Sequence, residues 1–202
     1  MRIECYPGIN RMGSAGALEF PRVISLKGKE IEPYLPQIID LHLTVFKEPP
    51  YLYEGTREEY APWMQIYADS KDGIACLLFD GKELVGAATG LPLKEMPGEW
   101  LKNFKGPLER IFYLGEEVIL EKYRRKHLGA QLYDQFEKMI PPFFDTISFA
   151  RIQEPIEPPL NFILRERGFL EHKDRDVELL WRDARSKEIV PHKLIYWTKQ
   201  LA

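Results

Sequence analysis

A chain of 202 residues, 45% of them hydrophobic, carries enough apolar material for one ordinary α/β core. Its 28 basic and 31 acidic side chains leave a net charge of −3, which gives no general pull toward nucleic acid. Cys5 and Cys76 make no disulfide framework, the apolar runs are too short to span a bilayer, and no apolar leader is visible; a cytoplasmic protein is expected.

Residues 1–20 mix Gly, Ala, Ser and isolated apolar residues without a period, and read as a flexible arm or a cloning remnant. Residues 21–202 read as a single domain. Arg22 to Leu26 suits a first strand. Pro33 opens a helix whose apolar stripe is Leu35, Ile38, Ile39, Leu41, Leu43 and Phe46, and Pro49-Pro50 stops it. Thr56 with Glu59 has the pattern of a capping box for a second helix, which Pro62 should kink or shorten. Tyr60, Trp63, Met64, Ile66 and Tyr67 form its buried side, while the loop residues Tyr51 and Tyr53 are candidates to line a pocket. Gly73–Phe79 and Glu83–Thr89 are two strands joined across Asp80-Gly81, a strong hairpin signal. The polar stretch 94–107 has some helical spacing and no assignable role.

The most informative stretch runs from Ile111 to Ile140. A strand-like run holds Gly115, Glu116 and Glu117 within it, and Gly inside a strand marks a bulge or a close approach of another backbone. Lys122, Arg124, Arg125, Lys126 and His127 then put five basic side chains into six positions. Leu128, Leu132, Phe136, Met139 and Ile140 follow at helical spacing. A basic cluster alone is more often a solvated loop before a surface helix. Gly129, just inside a helix that follows a strand, tips the balance: unpaired N–H groups and the helix dipole make that end an anion site suited to phosphate or pyrophosphate. Neither G-x-x-x-x-G-K-[ST] nor a strand-following G-x-G-x-x-G occurs.

Beyond it, Pro141-Pro142 ends the helix, and Thr146–Ala150 reads as a strand. Gly168 suits a helix C-cap, and Val177–Trp181 and Leu194–Thr198 are the last strands. The four histidines have no metal-ligand spacing, so no metal is expected.

The run Arg124-Arg125-Lys126-His127-Leu128-Gly129, preceded by Ile119-Leu120-Glu121-Lys122-Tyr123, resembles the acyl-CoA-binding turn of the GNAT N-acetyltransferase superfamily, [R/Q]-x-x-G-x-[G/A], with His127 in place of the first glycine. Asp80 to Gly90 resembles the family's second and third strands, and Ile163 to Phe169 the end of its fourth helix, with Leu164 where a tyrosine general acid often stands. The resemblance implies an α/β (α+β) fold: a mixed, mostly antiparallel six- to seven-stranded sheet flanked by about four helices, with strands 111–119 and 146–151 splayed apart. It also implies that acyl-CoA is held by the backbone of Val118 and Ile119 and by the turn of Arg124, Arg125, Lys126, His127, Leu128, Gly129 and Ala130; Asn161 is a weaker candidate to bond the cofactor arm, a capping or exposed role being the equal alternative.

The activity implied is direct transfer of an acyl group, acetyl first, from acyl-CoA to a small-molecule or peptide amine. A backbone N–H near Val118 would steady the developing charge. Glu116 or Glu117 would accept the amine's proton through water; parity with Ile119 favours Glu117, the alternative being that both are solvated or paired with arginines. Arg151 and Glu154 are weaker candidates to touch the acceptor. A non-catalytic acyl-CoA sensor is the rival reading, and a nucleic-acid binder using residues 122–127 a third, disfavoured by the acidic remainder. Dimerisation stays open.

Overall fold

The computed structural model describes residues 21–102, 104, 107–154, 156 and 158–201; the segment 1–20 lies outside the described residues. Seven strands form one sheet: β1 (Arg22–Lys27), β2 (Ile74–Asp80), β3 (Glu83–Pro92), β4 (Ile111–Ile119), β5 (Thr146–Ile152), β6 (Leu170–Arg182) and β7 (Ile189–Gln200), in the order β1-β2-β3-β4-β5-β7-β6. All neighbours are antiparallel except β4 and β5, which run parallel over only three pairs, Ile111 with Thr146 to Tyr113 with Ser148. Beyond Tyr113 the two strands part.

The strands alternate their side chains between two apolar layers. On one face α1 (Leu35–Phe46) and α2 (Arg57–Asp69) cover Ala75, Leu77, Ala87 and Tyr113. A short helix, α3 (Gly98–Leu101), lies within the stretch between β3 and β4. On the other face, α4 (Leu128–Met139) and α5 (Pro159–Glu166) cover Cys76, Leu78, Phe112 and Ile147. Fully buried Phe112, Phe136, Ile38 and Met64 anchor the layers, at about 1.5–3 kcal/mol per side chain removed from water.

Most local signals act as expected. Thr56 accepts from the Glu59 N–H and Glu59 from the Thr56 N–H, a complete capping box. Gly81, with φ +57°, turns the β2–β3 hairpin, and Gly168, with φ +86°, ends α5 while Phe169 N–H donates to Leu164 O. Three readings need correction. Residues 28–34 form a 3-10 helix, and the α-helix starts at Leu35. α2 runs on through Pro62 to Asp69 instead of being shortened by it, although the missing N–H leaves the Glu58 carbonyl without its helical partner. β6 and β7 are far longer than their apolar centres: backbone pairing carries the hairpin through polar residues, with an irregularity between His172 and Asp176. Among the described residues no helix is long and apolar enough to cross a membrane.

Candidate active site

Two half-sites meet at the parting of β4 and β5. The first is the turn into α4. Its first helical bond runs from Gln131 N–H to His127 O, so the amides of Leu128, Gly129 and Ala130 precede any helical acceptor. His127 is left-handed at φ +60°, as is Arg125 at φ +59°, so the position the motif gives to glycine has the backbone that glycine would favour. A Cβ on Gly129 would lie in ordinary contact with Ile119 Cδ1 at 3.4 Å and Glu117 Oε1 at 3.8 Å, so the helix start faces this end of β4. Arg124 is held in place: its Nε donates to Ile119 O at 2.9 Å and its Nη1 pairs with Glu48 at 2.7 Å. These groups fit the diphosphate and arm of an acyl-CoA.

The register decides which β4 amides face the gap. Leu120 N–H donates to Val85 O, and alternation makes Val118 point to β3 as well. The N–H groups turned toward the parted strand are therefore those of Glu117 and Ile119, not Val118 as the sequence suggested. The Ile119 carbonyl on that side already accepts from Arg124. Asn161 lies on α5, and its Oδ1 accepts from Arg151 Nη1, while Arg151 Nη2 donates to Glu154 at 2.6 Å. Asn161 thus orders Arg151 rather than presenting its carbonyl to the cleft.

The second half-site is a cavity of about 440 Å³ on the α1–α2 side, reaching the parting at Gly115 and Ala150. β4 bulges there: Thr89 faces Glu116 but Gly90 faces Leu114, leaving Gly115 unpaired. Glu116 stands buried at the cavity floor. Tyr60 O–H donates to its Oε1, and His42 Nδ1 lies 2.9 Å from its Oε2 and 2.9 Å from the Tyr60 oxygen. Since the tyrosine proton goes to the carboxyl, the ring proton on Nδ1 serves the second carboxyl oxygen. His42 is clamped between Phe46 and Tyr60, with centroids at 4.0 and 3.8 Å, so the trio is rigid. Burial, then the Glu116 charge, pushes the Tyr60 hydroxyl well up, and burial pushes Tyr51 up to about 12, so both stay protonated donors.

Glu117 does share a face with Ile119, but that face is the α4 one. Its carboxyl is pushed up to about 7, first by crowding protein, with Arg167 pulling down and Asp134 pushing up. The side chain is also exposed along the cleft, where solvent screens part of that push.

Sequence reasoning missed His42, which sits within an apolar stripe and reads as a core histidine, and Tyr60, which reads as core packing. It also left the 94–107 stretch without a role, yet Met96, Glu99 and Trp100 line the cavity, anchored where Tyr196 O–H donates to Trp100 O. Trp181, on β6, closes the far wall with its Nε1–H on Tyr51 O at 3.1 Å.

No family model matches the chain, and no curated protein matches it by sequence. Solved structures do match by shape. An acetyltransferase from Thermus thermophilus superposes with a TM-score of 0.57 at 16% identity, over 91% of this chain and 99% of that one. A GNAT-family acetyltransferase from Staphylococcus aureus gives 0.60 at 14%, over 90% and 100%. Arabidopsis thaliana NAA60, solved with a bisubstrate analogue, gives 0.56 at 14%, over 90% and 100%. The parted parallel strands, the turn into α4 and these superpositions agree: this chain has the fold of the GNAT acetyltransferases.

Proposed function

We propose that the protein is an acyl-CoA-dependent N-acyltransferase, acetyl-CoA being the first donor to try, that acylates an amine directly. One observation carries the reading: the cavity holding Glu116 opens at Gly115 and Ala150 onto the same parting of β4 and β5 that the α4 amides face from the other side. Acyl-CoA, when bound, supplies an activated thioester. The amides of Leu128, Gly129 and Ala130 with Arg124 hold its phosphates, and the Glu117 and Ile119 N–H groups orient the arm as a neighbouring strand would.

On the opposite side Glu116, oriented by His42 and Tyr60, accepts the proton that an arriving ammonium must lose. This assigns the proton-accepting role to Glu116 in preference to Glu117, because only Glu116 faces the cavity. No tyrosine occupies the Leu164 position, which is buried in the α4–α5 layer. A thiol of ordinary pKa, about 8.5, leaves as thiolate without full protonation, so acyl transfer does not require that donor.

The test is thiol release from acetyl-CoA with a panel of amines. Glu116→Gln should slow release by about 10²-fold or more while leaving acetyl-CoA binding intact. Glu117→Gln should stay within a few-fold of the parent. The reverse ranking would return the role to Glu117, and absence of release and of acetyl-CoA binding would end the reading.

A further inference from the structure

Resting on the acyltransfer reading, we infer that the acceptor is a compact primary amine with an apolar, preferably aromatic, body and no carboxylate, taken up whole as a free molecule rather than presented on a peptide.

Charge gives the first reason. Glu116 lies at the floor of the cavity and Glu99 and Glu178 are exposed at its rim, while among the described residues no lysine or arginine lines it. Such a lining favours a cation and repels the carboxylate of a free amino acid. The walls give the second. Phe46, Tyr51, Tyr53, Trp100 and Trp181 offer ring faces that attract an organic cation and pack against an apolar body. The tyrosines among them keep their protons, since burial raises both Tyr51 and Tyr53.

The join between two of those walls gives the third. The loop between α1 and α2 is sewn to the β6–β7 hairpin: Tyr53 bridges Asp183, Glu54 N–H donates to Arg182 O at 2.8 Å, and Ala184 N–H donates to Leu52 O at 2.6 Å. Lys187 adds an ion pair to Glu54 at 2.6 Å, and Trp181 its bond to Tyr51 O. A peptide threading its amino terminus to Glu116 would need an open channel for the residues that follow. Here two segments that line the cavity are joined to each other by main-chain bonds, which closes the side between them. The cavity volume of about 440 Å³ lies in the range of small-molecule sites.

The experiment compares 2-phenylethylamine, L-phenylalanine and a short peptide with a free amino terminus, by calorimetric binding to the full chain and by thiol release with saturating acetyl-CoA. Acetyl-CoA binding is measured separately. The inference expects phenylethylamine to exceed both others in kcat/KM by at least about tenfold, since like charges set close together are strongly discriminated against. It expects Glu178→Gln to shrink the margin over phenylalanine. Trp181→Ala should weaken phenylethylamine binding without changing acetyl-CoA affinity, and Trp181→Phe should restore most of it. Peptide or phenylalanine turning over as well as phenylethylamine would overturn the inference and leave acyl transfer standing. Phenylethylamine binding with no acetyl-CoA binding would overturn acyl transfer and leave the cation site standing.

Discussion

The hydroxyl of Tyr67 sits over Gly115: a Cβ built on that glycine would lie 1.8 Å from the oxygen and 2.7 Å from the ring carbon that bears it. The space a side chain would need at the β4 bulge is therefore taken by Tyr67 of α2, and only glycine fits there. Gly115→Ala should destabilise the protein by about 1–3 kcal/mol, the usual cost of overpacking. Tyr67→Phe on that background should restore only part, because the ring carbon remains too close. A double-mutant cycle from urea unfolding measures the coupling; additive effects would show that the two residues do not meet.

His127 adopts a left-handed backbone at φ +60° in the turn that opens α4. Replacing it with glycine removes a strain of about 1–2 kcal/mol against a comparable gain in unfolded-chain freedom. His127→Gly should thus be neutral or raise stability by up to about 1 kcal/mol, with acetyl-CoA affinity kept. A clear loss of affinity in calorimetry would show that the imidazole itself contacts the cofactor.

Glu117 gives a pH signature. Its folded carboxyl is raised from the ordinary 4.5 to about 7, so the native state binds more protons than the unfolded chain between those values. Its contribution to stability is full below about pH 4.5 and is lost as pH rises toward 7. Relative to the parent, Glu117→Gln should gain Tm progressively from about pH 5 to 8 and show little gain at about pH 4. A difference in Tm that does not vary with pH would place the carboxyl in ordinary solvent.

The architecture was legible in the sequence wherever a local rule had a local cause. The Asp80-Gly81 hairpin, the Thr56–Glu59 cap, the Gly168 stop and the basic turn before α4 each depend on a few adjacent residues. What was hidden depends on residues far apart in the chain. Glu116 gains its partners from α1 and α2, 74 and 56 positions away, and nothing in the spacing of His42 or Tyr60 distinguishes them from core packing. Parity correctly set Glu117 beside Ile119; which face of the sheet carries the cavity is settled only when α1 and α2 are laid on it. Likewise the ends of β6 and β7 carry no apolar alternation, because pairing with each other, rather than burial, holds them.

The Tyr60 hydroxyl offers a last separation of roles. Tyr60→Phe removes one donor from the Glu116 carboxyl and leaves His42 in place. Losing a buried hydrogen bond to such a group costs about 1.5–3 kcal/mol. The rate of thiol release should fall and its pH profile move, with acetyl-CoA binding unchanged; an unmoved profile would leave Tyr60 a packing residue.

Arg124 cannot serve two anions equally. Its guanidinium, which the turn would lend to a phosphate, is held at 2.7 Å by Glu48, and Glu48 lies in the loop that joins the β6–β7 hairpin and lines the cavity. On the proposed reading a diphosphate at the turn would compete with Glu48 for that cation, so cofactor binding and the conformation of the Glu48 loop would be coupled, each altering the other by the same factor.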